Sequence, residues 1–140
     1  KSPVKKAAVK KTTEKKSTTK TASNGELIDL DNKGIGPISS LTLPTTIDQA
    51  MADNGQQIFK TKCSACHKTT KKFIGPNPTG ILEKRSPEWV MNMILNPAEM
   101  VEKDPVAKQL LIQFNGSPMA NQNLKEEEAR AVLEYFRTLK

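Results

Sequence analysis

Cys63-Ser64-Ala65-Cys66-His67 is the stretch on which the fold turns. Two thiols three positions apart, followed directly by an imidazole, form the attachment pattern of a c-type haem. Each thiol can add across one haem vinyl group, and the short turn between them brings the imidazole of His67 beneath the iron. The chain has two cysteines and one histidine in all, so this pattern uses every one of them. A thioredoxin-like dithiol would want an α/β setting, which the flanking sequence lacks. A structural zinc site would want four Cys or His ligands where three exist.

The 140 residues suffice for one ordinary domain. The charge is unevenly placed. Residues 1–20 hold eight lysines against Glu14, which accounts for the whole net charge of +7, and the other 120 residues balance 14 basic against 14 acidic side chains. Residues 1–23 lack aromatic residues and are nearly free of large apolar ones, so they cannot offset the entropy of ordering. They read as a disordered Lys-rich tail or tether with a reach of roughly 25 Å. Such a tail can act as a spacer, meet an anionic membrane surface or approach an acidic redox partner. Its composition is like that of histone tails, but no folded DNA reader accompanies it, and no nucleic-acid role is expected. No run of 18 apolar residues appears, and charged Lys1 opens the chain without a following apolar stretch. The sequence therefore reads as a mature or truncated product, with an upstream leader or lipid anchor left open.

Residues 24–46 mix Leu27, Ile28, Leu30, Ile35, Ile38, Leu41 and Leu43 with Gly34, Gly36, Pro37 and Pro44. That is too apolar for a free tail and too broken for a long helix, so an extended arm across the domain is expected. Residues 47–140 form the expected domain. A first helix is predicted from Ile47 or Asp48 to Lys62, capped by Thr46 or Asp48. Residues 69–85 read as a loop. Ser86-Pro87-Glu88 opens a helix to about Leu95, Asp104-Pro105 opens another, and Asn115-Gly116 stops it. Asn123 with Glu126 resembles the capping box of a terminal helix. No segment alternates with period two, so the fold class is all-α.

With one histidine, the sixth iron position falls to methionine, a weak ligand or nothing. Met91 and Met93 sit in an apolar helix, where a methionine usually fills core. Met119 lies in the loop 116–123 and can swing its thioether to iron without distorting a helix. Met100, between two proline breaks, is the main alternative. A Met/His pair favours ferrous iron and raises the reduction potential.

The ordered pieces Gly55-Gln56-Gln57-Ile58-Phe59, CSACH, Phe73-Ile74-Gly75-Pro76 and Met119 ahead of the last helix resemble class I, single-haem cytochrome c over residues 53–140. The ordered region is similar to small c-type cytochromes of Bacteroidetes-type bacteria. The resemblance implies a cytochrome c-like helical fold around one covalent haem c. It implies Gly55 and Phe59 crossing Val132 and Tyr135, and a Pro76 carbonyl accepting from the non-ligating nitrogen of His67. His67 and Met119 are then the iron ligands, with Cys63, Cys66 and Pro76 completing the haem-binding set and no catalytic residues. Pro118 precedes Met119, whereas the common arrangement places a proline after the methionine. Trp89 reads as core rather than as a propionate contact.

Function follows the same resemblance. It implies a monomeric one-electron carrier between a quinol-oxidising donor complex and a terminal oxidase or reductase. The implied location is periplasmic or otherwise extracytoplasmic, with a membrane tether through the tail possible. Residues 60–85 carry Lys60, Lys62, Lys68, Lys71, Lys72, Lys84 and Arg85 against Glu83, either solvated charge or a docking face for an acidic partner. The alternatives are the haem domain of a larger redox complex and a five-coordinate haem enzyme or gas sensor.

Overall fold

The computed structural model describes residues 27–140 and the backbone of Lys20 and Thr21. The expected tail therefore lies outside the described residues, apart from those two, and the arm is described from Leu27 onward. Five helices carry the structure: α1 (Gln49–Lys62), α2 (Pro87–Leu95), α3 (Pro97–Lys103), α4 (Pro105–Gln113) and α5 (Glu126–Thr138). The strands among the described residues are β1 (Lys20–Thr21) and β2 (Leu27–Ile28), paired antiparallel with Lys20 opposite Ile28. The fold is all-α.

Helix starts follow local chemistry. Asp48 caps α1 by accepting from the Met51 N–H at 3.0 Å. Ser86 and Asp104 do the same for α2 and α4, each with proline at the first helical position. Two expectations need correction. The segment around Met100, read as lying between two proline breaks, is helix α3, which Pro97 opens rather than interrupts. The terminal helix starts two residues later than the Asn123 cap implied, because Asn123 takes a left-handed φ of 54°. Lys125 stands in its place, its N–H donating to the Glu128 carboxylate at 3.1 Å.

The core is organised by α1 crossing α5. At Gly55 the two backbones meet so closely that an added Cβ would lie 1.8 Å from the Ala131 carbonyl oxygen. One turn further along, the Phe59 ring packs at 5.5 Å from Tyr135 and 5.8 Å from Phe136. The pairing that the family resemblance implied is thus present. Beside it, Glu134 is buried on α5 and accepts from Arg130, Arg137 and the Asp48 N–H at 2.5, 2.9 and 2.8 Å. Burial alone would raise its carboxyl pKa. The bonds from Arg130 and Asp48, with the charges of Arg130 and Arg137, outweigh that and hold it below the ordinary carboxylate range.

Residues 29–44 cross α2 and α3 as an extended segment without a neighbouring strand, so their backbone polar groups need other partners. Side chains on α2 and just beyond supply them at helical spacing. Glu88 accepts from the Leu41 N–H at 3.0 Å. Asn92 accepts from the Ile38 N–H at 3.0 Å and donates to the Lys33 and Ile38 carbonyls at 2.9 Å. Asn96 donates to the Ile35 carbonyl at 3.1 Å, and the Met100 sulfur receives the Ile35 N–H. Glu88, Asn92 and Asn96 recur at every fourth position along α2 and its C-terminal cap, and Met100 continues the contact from α3.

Asp104 joins this system to the interior. Its carboxylate accepts from the Asn32 amide at 2.6 Å, the Trp89 indole N–H at 3.0 Å and the Ala107 N–H at 2.8 Å.

Two variants test this packing by guanidinium unfolding. Gly55→Ala forces the α1 and α5 backbones apart and is expected to cost about 3 kcal/mol. Glu134→Gln should lose stability relative to the parent at pH 7. Because the folded-state pKa is depressed, that difference should be complete above the unfolded pKa near 4.5 and shrink as pH falls through the lower folded value.

Candidate functional site

The C-terminal end of α1 runs directly into the 63–67 turn. Cys63 and Ser64 N–H groups both donate to the Phe59 carbonyl at 2.9 Å, so the first thiol is placed by the last turn of the helix. The Cys66 and His67 N–H groups then fold back on the Cys63 carbonyl at 3.1 and 2.9 Å. Cys63 is buried, Cys66 is exposed, and no disulfide joins them. Burial, followed by the repulsion of neighbouring Cys66, pushes the Cys63 thiol up to about 11. At neutral pH the side chain is therefore the neutral S–H.

The imidazole of His67 is held from two sides. Its Nδ1 lies 2.8 Å from the Pro76 carbonyl oxygen, which accepts the ring N–H and leaves Nε2 as the basic nitrogen. Gly75 packs flat against the ring: an added Cβ would stand 2.5 Å from Cε1 and 2.8 Å from Nδ1. The Gly75 N–H also donates to the Cys66 carbonyl at 2.8 Å, tying the Phe73–Pro76 loop back to the thiol turn.

Above this turn opens a cavity of about 210 Å³. Cys63, His67 and Pro76 line it, and so does Met119. Its remaining walls are largely apolar, with Trp89, Val90, Ile94, Leu110, Phe114 and Phe136 among them. Exposed Cys66 is not part of the lining, although it lies in the same turn. The set of donors suits an iron porphyrin: a thiol, an imidazole and a thioether line one largely apolar cavity. Among the described residues no three His, Cys, Asp or Glu side chains converge as a metal-holding group, so the zinc reading has no geometry behind it.

The methionines separate clearly. Met100 is fully buried, its sulfur occupied by the Ile35 N–H, and it does not reach the cavity. Met91 is core. Met93 lines the cavity alongside Met119, a second thioether that its apolar helix concealed. Trp89 presents its ring to the cavity while its N–H is committed to Asp104, so the indole is wall and core.

The basic stretch divides as well. Lys60, Lys62, Lys71 and Lys72 are exposed, whereas Arg85 is 3% exposed, 5.3 Å from the Trp89 ring, and donates to the Leu27 and Lys84 carbonyls. Arg85 therefore belongs to the interior rather than to the surface. Phe73 and Ile74 are both nearly half exposed, and Lys68 sits 5.2 Å from the Phe73 ring.

The family model described as "Cytochrome c" matches residues 52–140. No curated protein matches the chain. A solved structure of cytochrome c from Rhodothermus marinus is 43% identical, with a TM-score of 0.71, and the match covers 74% of this chain and 88% of that one. An engineered form of the Rhodothermus marinus protein, bound to a carbene intermediate, is 42% identical with a TM-score of 0.68 over 74% and 88% of the two chains. The cytochrome c domain of the pp3183 protein from Pseudomonas putida is 34% identical, with a TM-score of 0.56 over 60% and 85%.

Gly75→Ala tests how the imidazole is held. The methyl group must displace the His67 ring, so haem-loaded protein should lose about 1–3 kcal/mol of stability and show shifted His67 ring resonances by paramagnetic NMR.

Proposed function

This chain belongs to the cytochrome c family and carries one covalently bound haem c, and from that premise we propose a one-electron carrier whose iron is held by His67 and Met119. The observation that carries the proposal is a shared cavity. Cys63, His67 and Met119 reach one apolar cavity, and a single carbonyl, that of Pro76, sets which imidazole nitrogen is free.

The bound haem supplies the ferric–ferrous couple. Everything else is the work of side chains. Cys63 and Cys66 fasten the group through thioether bonds, so redox turnover cannot release it. His67 supplies Nε2, made more basic by the bond from Nδ1 to Pro76. Met119 supplies a soft sulfur that favours ferrous iron and raises the potential. Val90, Ile94, Leu110 and Phe136, which line the cavity, would exclude water around the bound group and so lower the local dielectric and the reorganisation that each electron requires. No proton transfer or substrate pocket is needed, so the residues bind and orient rather than catalyse.

The partners we assign are a quinol-oxidising donor complex and a terminal oxidase or reductase, met by a monomer. The location we assign is periplasmic or otherwise extracytoplasmic, since haem attachment of this kind is completed outside the bacterial cytoplasm. Among the described residues no helix is long and apolar enough to cross a membrane, and the tail remains a candidate tether. The docking face lies around the 60–76 segment, where Phe73 and Ile74 offer apolar contact amid Lys68, Lys71 and Lys72.

Met119→Ala is the decisive variant. The far-red charge-transfer absorption of a ferric thioether bond should disappear. Carbon monoxide should bind the ferrous form, and the potential should fall by on the order of 0.2 V, part of the roughly 0.8 V that axial ligands command. Met93→Leu and Met100→Leu should leave all three readouts in place. Loss of the band in Met93→Leu instead would reassign the ligand.

A further inference from the structure

A second recess, open to solvent, adjoins the thiol turn and has a volume of about 310 Å³. Helix α1 contributes Gln56 and Lys60 to it, the turn and the residues after it contribute Ser64, Lys68 and Thr69, and α5 contributes Tyr135. Phe59 and His67 line both this recess and the haem cavity, so the imidazole belongs to the wall between the two.

The lining is polar and its charge has one sign: two lysines and no carboxylate. The surrounding chain does not correct the imbalance. Residues 54–82 carry Lys60, Lys62, Lys68, Lys71 and Lys72 and no acidic side chain. On α5 the carboxylate next to Tyr135 is that of Glu134, which is buried and engaged by Arg130 and Arg137.

Lys68 is held in place. Its Nζ donates to the Ser64 carbonyl at 2.9 Å and stands 5.2 Å from the Phe73 ring. That bond uses one of its three N–H groups and leaves two. The Ser64 hydroxyl is committed to the Lys60 carbonyl. Among the described residues the Gln56 amide, the Lys60 ammonium and the Thr69 and Tyr135 hydroxyls have no hydrogen-bond partner. An anchored ammonium, a second ammonium and three neutral donors around one hollow suit an anion with several acceptor oxygens.

We infer that this recess binds a small oxyanion of the phosphate type, and that the bound anion lowers the reduction potential from the His67 side of the haem. The binding site stands by itself, and the shift in potential rests on the carrier reading. Oxidation leaves one more positive charge at the iron, so a neighbouring anion stabilises the ferric form more than the ferrous. By linkage the ferric protein holds the oxyanion more tightly, by about threefold where solvent screens the interaction. The acidic surface of a protein is the weaker fit. A carboxylate presents two oxygens to five donor groups, and a free ion enters a recess without the constraint of another fold.

The test uses the full haem-loaded chain and inorganic phosphate, with ionic strength held constant by chloride. In proton–nitrogen NMR spectra the amides of Ser64, Lys68 and Thr69 should shift and saturate at roughly millimolar phosphate. Lys60→Gln combined with Lys68→Gln should weaken binding about tenfold. Thr69→Val, which keeps every charge, should weaken it about threefold. Lys108→Gln combined with Lys140→Gln removes the same charge from outside the recess and should change it by less than about twofold. At saturating phosphate the midpoint potential of the parent should fall by about 28 mV, the threefold preference converted at about 59 mV per tenfold. The potential of the Lys60→Gln, Lys68→Gln variant should stay where it is.

Shifts reproduced by chloride alone, equal weakening in the two double variants, or a parent potential indifferent to phosphate would each overturn the inference. So would stronger competition by polyglutamate than by phosphate at equal charge, which would make the occupant an acidic protein. A chain that does not cycle between ferric and ferrous states would sink the carrier reading alone, because phosphate-dependent amide shifts would still report the site.

Discussion

The backbone contact between Gly55 on α1 and Ala131–Val132 on α5 is the constraint from which the rest of the structure follows. Helix α1 delivers the thiol turn and α5 supplies the floor of the cavity through Val132 and Phe136, so their separation sets the distance between attachment point and wall. Only glycine allows the approach, because the Ala131 carbonyl occupies the volume that any Cβ would need. Phe59 extends the contact by one turn, and its carbonyl then receives the Cys63 and Ser64 N–H groups. Packing and site geometry thus meet at consecutive points on one helix.

A second constraint concerns unpaired backbone. An extended segment with no strand beside it would bury amide groups at a cost of about 1–3 kcal/mol each if they were left unsatisfied. Glu88, Asn92 and Asn96 meet that need from a helix whose other face is apolar. Asn92 alone satisfies three groups, and Gly36 lies so close to it that a Cβ there would stand 2.5 Å from its amide oxygen. The segment is consequently an integral layer of the domain.

How far these features were legible in the chain differs by residue. Cys63, Cys66 and His67 announced their chemistry because spacing alone carries it, and Ser86-Pro87 and Asp104-Pro105 marked helix starts because capping is local. Helix α3 was hidden by Pro97, which reads as a break but serves as a first helical residue. The late start of α5 was hidden because the left-handed turn at Asn123 depends on how the preceding loop closes. Arg85 looked like surface charge, since nothing in sequence reveals that a carbonyl 58 residues away and an indole face would enclose it. Met93 was concealed for the same reason: helical periodicity places it on an apolar face without saying that the face borders a cavity.

Asp104 carries one further consequence. A single carboxylate holds Asn32, the Trp89 indole and the first turn of α4. Peeling the N-terminal layer away would expose the carboxylate to solvent and loosen the aromatic wall of the porphyrin chamber at the same stroke. Local fraying is thereby converted into a shared opening event, and the layer and the chamber wall belong to one cooperative foldon.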